Sequence, residues 1–96
     1  SFLTIAYEPI WAIGKDALVP ATPKECLEVV IAIKRFLSDT FGTKKGALIP
    51  LLYGGSVSKE NAALFVRDGG ADGLLVGRES LKPKNFAHII TEVGQV

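Results

Sequence analysis

One carboxylate, two glycine turns and an apolar loop are the parts of this chain that could do chemistry. Glu8 closes the apolar run Phe2-Leu3-Thr4-Ile5-Ala6-Tyr7 and is followed at once by Pro9. Pro9 keeps the residue before it extended and ends regular pairing, which leaves Glu8 at the carboxyl end of a strand. A carboxylate set between that strand and Pro9-Ile10-Trp11 would be partly desolvated, a condition that suits a general base. The plainer reading, a glutamate paired with a lysine or simply solvated, stands level with it on residue types alone. Tyr53-Gly54-Gly55-Ser56 and Val76-Gly77-Arg78 each break an apolar run with glycine. Where side chains are missing, backbone N–H groups can approach an anion and offer it several hydrogen bonds, which suits a phosphate. Each turn alone reads more readily as a tight connection before a helix, but their recurrence at successive strand ends weakens that plainer reading. The loop from Pro9 to Gly14 is too hydrophobic for an ordinary exposed connection. It reads either as a mobile lid that excludes water from a site or as a fixed cover over the strand ends.

The elements that must position these residues alternate. Apolar runs separated by helical patterns give the order strand, helix, strand, helix, strand, helix, a repeated βα architecture with a parallel sheet. The first run lacks strict alternation, as in a parallel strand covered on both faces. Thr22-Pro23-Lys24-Glu25 supplies a side-chain N-cap, a proline at the first helical position and a glutamate three residues after the cap. The helix it starts should run to about Ser38 and end near Phe41-Gly42. Leu27, Val30, Ile31, Ile33 and Leu37 give it an apolar stripe, and Lys24, Glu28, Lys34 and Arg35 a polar side. The run from Leu48 to Tyr53 predicts a second strand, with pairing that begins near Leu51 because Pro50 has no backbone donor. Ser58 can cap a helix through Asn61, Ala62, Leu64, Phe65 and Val66 that stops at Asp68-Gly69-Gly70. Gly73 to Val76 is a third strand ending at Gly77, and a last helix runs from about Pro83 to Val93. In parallel α/β folds ligands gather at the carboxyl ends of strands, so the three strand ends should converge on one face.

Composition bounds the rest. The chain has 96 residues, 48% hydrophobic and 22% charged, as in one globular unit or part of one. A chain of this size buries only about two-thirds of the surface its unfolded form exposes, so stability without a partner is marginal. The single cysteine, Cys26, leaves no internal disulfide and fits a reducing compartment, so a cytoplasmic location is expected. Neither a metal cluster, a signal peptide nor an apolar run of transmembrane length is evident. Lys and Arg number 11 against 10 Asp and Glu, and the basic residues form no stripe, which points away from nucleic acid and membranes.

Ala6-Tyr7-Glu8-Pro9-Ile10-Trp11-Ala12-Ile13-Gly14 is similar to the signature and flexible lid of the triosephosphate isomerase family. Tyr53-Gly54-Gly55-Ser56-Val57 resembles the phosphate-gripping turn after that family's seventh strand. Asp72-Gly73-Leu74-Leu75-Val76-Gly77, followed by Ser80-Leu81-Lys82, resembles its eighth strand and the loop beyond. The motifs keep the family's order and spacing, and the likeness covers essentially the whole chain. It implies an α/β fold, the C-terminal part of a (β/α)8 barrel with about three βα units, so that residues 1–96 form a single partial domain. The implied reaction interconverts dihydroxyacetone phosphate and glyceraldehyde 3-phosphate through an enediol, with no cofactor and no metal. This family is itself a standard example of a glutamate base beneath a water-excluding loop, so the roles that follow belong to the resemblance and go beyond what residue types alone establish. Glu8 would be the catalytic base and Pro9, Ile10, Trp11, Ala12, Ile13, Gly14 and Lys15 the lid. Gly14, Ser56, Gly77 and Arg78 would give backbone N–H groups to the substrate phosphate. Tyr53 and Ser56 would hold the closed lid through their side chains.

The chain departs from the family in three respects. Arg78 stands where a second glycine is usual, so its backbone donor survives only if a non-glycine residue can adopt the conformation required, and its side chain is expected to point away from the phosphate. Lys15-Asp16-Ala17-Leu18-Val19-Pro20-Ala21 replaces a commonly shorter far hinge of the lid. The family's N-terminal strands supply a lysine, an asparagine and the histidine that polarises the carbonyl, and none of these is in the chain. His88 lies within the last predicted helix and cannot replace that histidine, and Cys26 reads as a small core residue. The partners implied are the triose phosphate, the N-terminal part of the barrel and, for the complete enzyme, a second copy in a homodimer. Little activity is expected of the chain alone. The alternative is a stand-alone partial barrel that binds phosphate or assembles with itself without catalysis. Another phosphate-binding (β/α)8 enzyme would share the glycine turns but leaves Glu8 and its lid unexplained.

Overall fold

The computed structural model describes residues 3–12 and 21–96, the side chain of Ala12 excepted. Three short strands, β1 (Ile5–Tyr7), β2 (Leu51–Gly54) and β3 (Gly73–Leu75), form one parallel sheet in the order β1-β2-β3. The register sets Ile5 beside Leu51 and Tyr7 beside Tyr53, then Tyr53 beside Leu74 and Gly54 beside Leu75. Parallel neighbours need a crossover, and helices supply it here: α1 (Pro23–Phe41) and the single turn α2 (Thr43–Gly46) between β1 and β2, and α3 (Ala62–Arg67) between β2 and β3. A 3-10 turn at Arg78–Leu81 and α4 (Pro83–Gly94) follow β3.

The start of α1 is as its sequence predicts. Glu25 N–H donates to Thr22 Oγ1 at 3.1 Å while Thr22 N–H donates to Glu25 Oε1 at 3.0 Å, so two otherwise unpaired donors are satisfied reciprocally. At its far end Gly42 takes a φ of 89°, a left-handed value open to glycine without steric cost. The helix packs through Cys26, Val30 and Leu37, but Leu27 and Ile31 are 36% and 58% exposed, so the apolar stripe is wider than the surface it meets. Ser58 does not cap α3 through its side chain. The helix begins at Ala62 with Asn61 at the cap, because Asn61 folds back to accept from Ser58 N–H at 2.7 Å and donates to Ser56 O at 2.9 Å. The turns at Thr43–Gly46 and Arg78–Leu81 were not legible as helices, being too short to show a period.

The core lies between the sheet and the helices. Tyr53, Phe65, Leu37, Leu51 and Cys26 are the largest fully buried side chains, and each apolar one contributes about 1.5–3 kcal/mol by leaving water. The Tyr53 ring stacks on Phe65 at 4.2 Å between centroids and meets Tyr7 at a tilt. Cys26 is thus the core residue its position suggested, and burial pushes its thiol pKa up. At the amino ends of the strands, Asp72 accepts from Leu51 N–H at 2.9 Å and from Lys34 Nζ at 3.2 Å. This ties α1, β2 and the start of β3 together at the end away from the candidate chemistry.

Candidate active site

The carboxyl ends of β1, β2 and β3 open on one cleft of about 580 Å³, whose lining includes Glu8, Gly54, Gly55, Ser56, Gly77 and Arg78. The register explains the convergence. Tyr7 is level with Tyr53, so the next residues along, Glu8 and Gly54, adjoin at the strand ends, and Gly54 is in turn level with Leu75. Glu8 leans over β2: a Cβ built on Gly54 would lie 2.9 Å from Glu8 Cγ and 3.0 Å from its Oε1.

Glu8 is exposed, which corrects the expectation of desolvation by the loop that follows it. Pro9 is buried, but Ile10 and Trp11 are 82% and 47% exposed in a 3-10 turn with Ala12 and do not cover the carboxylate. The remaining lid positions Ile13, Gly14 and Lys15, with the hinge that follows, lie outside the described residues. The structure thus brings Ser56, Gly77 and Arg78 to Glu8's cleft and leaves Gly14 unplaced.

At the first glycine turn, Val57 N–H donates to Gly55 O at 2.8 Å, so the chain reverses tightly above β2. Asn61 holds Ser56 from below through its carbonyl. Gly55 is held to glycine by its own neighbour, because a Cβ there would collide with the Tyr53 phenol ring. The Tyr53 hydroxyl is buried and has no hydrogen-bond partner among the described residues. Desolvation, chiefly, pushes its pKa up to about 12. The charges of Cys26 and Tyr7 add to the rise, and the Ala21 backbone works against it.

At the second glycine turn, Gly77 precedes the 3-10 turn that Arg78 opens, and its carbonyl accepts from Ser80 N–H at 3.0 Å. No non-glycine residue has a positive φ among those described, so Arg78 holds this place without the left-handed backbone that would demand glycine. A Cβ at Gly77 would meet nothing within 4 Å. Glu79 also lines the cleft, a carboxylate that sequence reasoning did not single out. Its pKa is lowered, first by the hydrogen bond from Asn85 Nδ2 at 3.2 Å, with Lys82 and Lys59 assisting. Lys82 Nζ lies 3.5 Å from the same carboxylate. His88 is remote from all of this on the outer side of α4, where it faces Glu92 at 3.3 Å. No cluster of His, Cys, Asp and Glu fit for a metal ion occurs among the described residues, and none of their helices is long and apolar enough to cross a membrane.

A parallel sheet with helical crossovers and a cleft lined by glycine turns at the carboxyl ends of its strands is the arrangement of (β/α)8-type proteins, here in three successive strands. The family model for triosephosphate isomerase matches residues 1–93, and the chain belongs to the triosephosphate isomerase family. It is 44% identical over 87 residues to the triosephosphate isomerase of Bifidobacterium adolescentis, covering 91% of this chain and 32% of that protein. It is 41% identical over 88 residues to that of Saccharomyces cerevisiae (92% and 34%), and 40% identical over 96 residues to that of Dehalococcoides mccartyi (100% and 38%). The chain therefore spans about a third of the length of the curated relatives it matches.

Proposed function

We propose that this chain is the part of a triosephosphate isomerase that carries its base, its lid and most of its phosphate grip, as a single partial domain over residues 1–96. The observation that carries the reading is that Glu8 and both glycine turns open on one cleft, as a base and a phosphate on the same small substrate require. The Glu8 carboxylate takes a proton from the carbon next to the carbonyl of dihydroxyacetone phosphate. The electron pair left behind shifts toward the carbonyl oxygen as an enediolate; that oxygen gains a proton and the neighbouring hydroxyl gives one up, both exchanged with the group that polarises the carbonyl. Glu8 returns its proton to the former carbonyl carbon to give glyceraldehyde 3-phosphate. Both carbons lie a few bonds from the phosphate, so holding the phosphate fixes the reacting carbons against the base. The backbone N–H groups of Ser56, Gly77, Arg78 and Gly14 take that part.

Tyr53 and Ser56 latch the lid of residues 9–15. The place of the Tyr53 hydroxyl beside Ala21, the first described residue after the loop, supports this. The group that polarises the carbonyl comes from outside these residues, in an N-terminal part of the barrel, and two complete barrels pair as a homodimer in the cytoplasm to serve glycolysis and gluconeogenesis. The reading calls for neither cofactor nor metal. Titrating the labelled chain with inorganic phosphate tests the site: the amide signals of Ser56, Gly77 and Arg78 should move while those of α1 stay. Shifts confined to the surface lysines Lys44 and Lys45 would count against it.

A further inference from the structure

A row of three residues crosses the sheet at the site: Glu8 just past β1, Gly54 at the end of β2 and Leu75 at the end of β3. Gly54 is the gap in that row. A Cβ there would stand 2.9 Å from Glu8 Cγ, 3.0 Å from Glu8 Oε1 and 3.3 Å from Leu75 Cβ. Adjacent strands lie only about 4.8 Å apart, so a glutamate that leans sideways needs the neighbouring strand to present no side chain. The second glycine of the pair is required for a different reason, since a Cβ at Gly55 meets Tyr53 and not Glu8. Gly77, at the other turn, has open space where its Cβ would be. Of the three glycines only Gly54 bears on the carboxylate.

We infer that Gly54 is a positioning residue for the Glu8 base: its missing side chain is the berth in which the carboxylate lies, with Leu75 as the far wall. Any side chain at position 54 lifts the carboxylate out of the row, and a displacement of about 1 Å is enough to cost a reaction of this kind on the order of 100-fold. The inference rests on Glu8 being the base, but the geometry can be tested without turnover.

In the intact chain with carbon-13 in its glutamate carboxyl groups, and Glu8→Gln used to assign the signal, Gly54→Ala should move the Glu8 resonance and leave those of Glu25, Glu28 and Glu92 in place. Gly94→Ala, where a Cβ meets nothing within 4 Å, should move none of them. A Glu8 signal unchanged by Gly54→Ala in a folded chain overturns the berth. Should that variant fail to fold, the unsubstituted chain decides the matter through proton contacts between Glu8 Cγ and Gly54 Cα, whose absence also overturns it. In an active assembly with an N-terminal barrel portion, Gly54→Ala should lower kcat by roughly 10- to 100-fold with KM held within about twofold. Because an aspartate is too short to lie over Gly54, Gly54→Ala should cost nothing further in a Glu8→Asp background. Full additivity of the two substitutions would mean that Gly54 acts on stability alone. A carboxyl signal that moves as described, beside an active assembly whose rate is unchanged by Glu8→Gln, would sink the role of Glu8 as base and leave the berth standing.

Discussion

At the scale of single residues, position was legible and surroundings were not. The Pro9 that follows Glu8 was enough to put the carboxylate at a strand end, and the glycine turns were enough to put open backbone beside it. Whether Ile10 and Trp11 would shield Glu8 depends on which way the loop turns, and no pattern within the loop fixes that; both are exposed. The role of Gly54 was hidden for the same reason: in the sequence it is one half of a glycine pair, and only the register across β1, β2 and β3 shows it facing a carboxylate. Tyr53 combines both lessons, since its apolar run called for burial but nothing in the run foretold a phenol oxygen without a partner among the described residues. Its pKa rises from the ordinary phenol value of 10.0 to about 12, so the neutral form is favoured by folding. That contribution is fully present below pH 10 and is lost as pH rises toward 12. Urea denaturation should therefore show stability falling across that range, with a shallower fall in Tyr53→Phe. At neutral pH, Tyr53→Phe should change stability by no more than about 1 kcal/mol, because the hydroxyl has no hydrogen-bond partner among the described residues. A loss of several kcal/mol would show that the hydroxyl is bonded in solution.

Among the elements, those with strong local chemistry were read correctly and those made by tertiary context were not. The capping box fixed the start of α1, and Pro50 fixed where pairing of β2 begins. Thr22→Ala removes the side-chain half of the reciprocal cap and loosens the other, and should lower the stability of the chain by about 1 kcal/mol, read from the urea midpoint at unchanged slope. An unchanged midpoint would mean that packing, and not the cap, sets the start of the helix. α3 illustrates the opposite case: Ser58 reads as the cap with Asn61 inside the helix, but Asn61 takes the cap position and its side chain also secures the turn at Ser56. The α1 stripe was visible as a period, but a period says only which residues share a side. It does not say that a neighbour is there to cover them.

At the scale of the whole molecule, apolar side chains outnumber the places to bury them. Ile31, Phe36, Leu48, Leu81 and Ile90 are all exposed by more than half, and β1 and β3 each leave one edge unpaired among the described residues. The chain should therefore associate as its concentration rises. Ile31→Lys, at 58% exposure, should weaken that association in sedimentation while leaving the helix content unchanged. A chain that stays monomeric at every concentration would show these faces to be tolerated singly. Family and fold were legible because the nonapeptide around Glu8 and the glycine turns occur together in order. A split active site with Glu8 as its base is tested most directly by the rate of triose phosphate isomerisation when this chain is mixed with an N-terminal portion of a homologous isomerase, compared with the same mixture made with Glu8→Gln. Negligible turnover is expected of either part alone, turnover of the mixture, and a loss on the order of 100-fold or more with Glu8→Gln. Equal rates with and without the Glu8 carboxylate would contradict its role as the base.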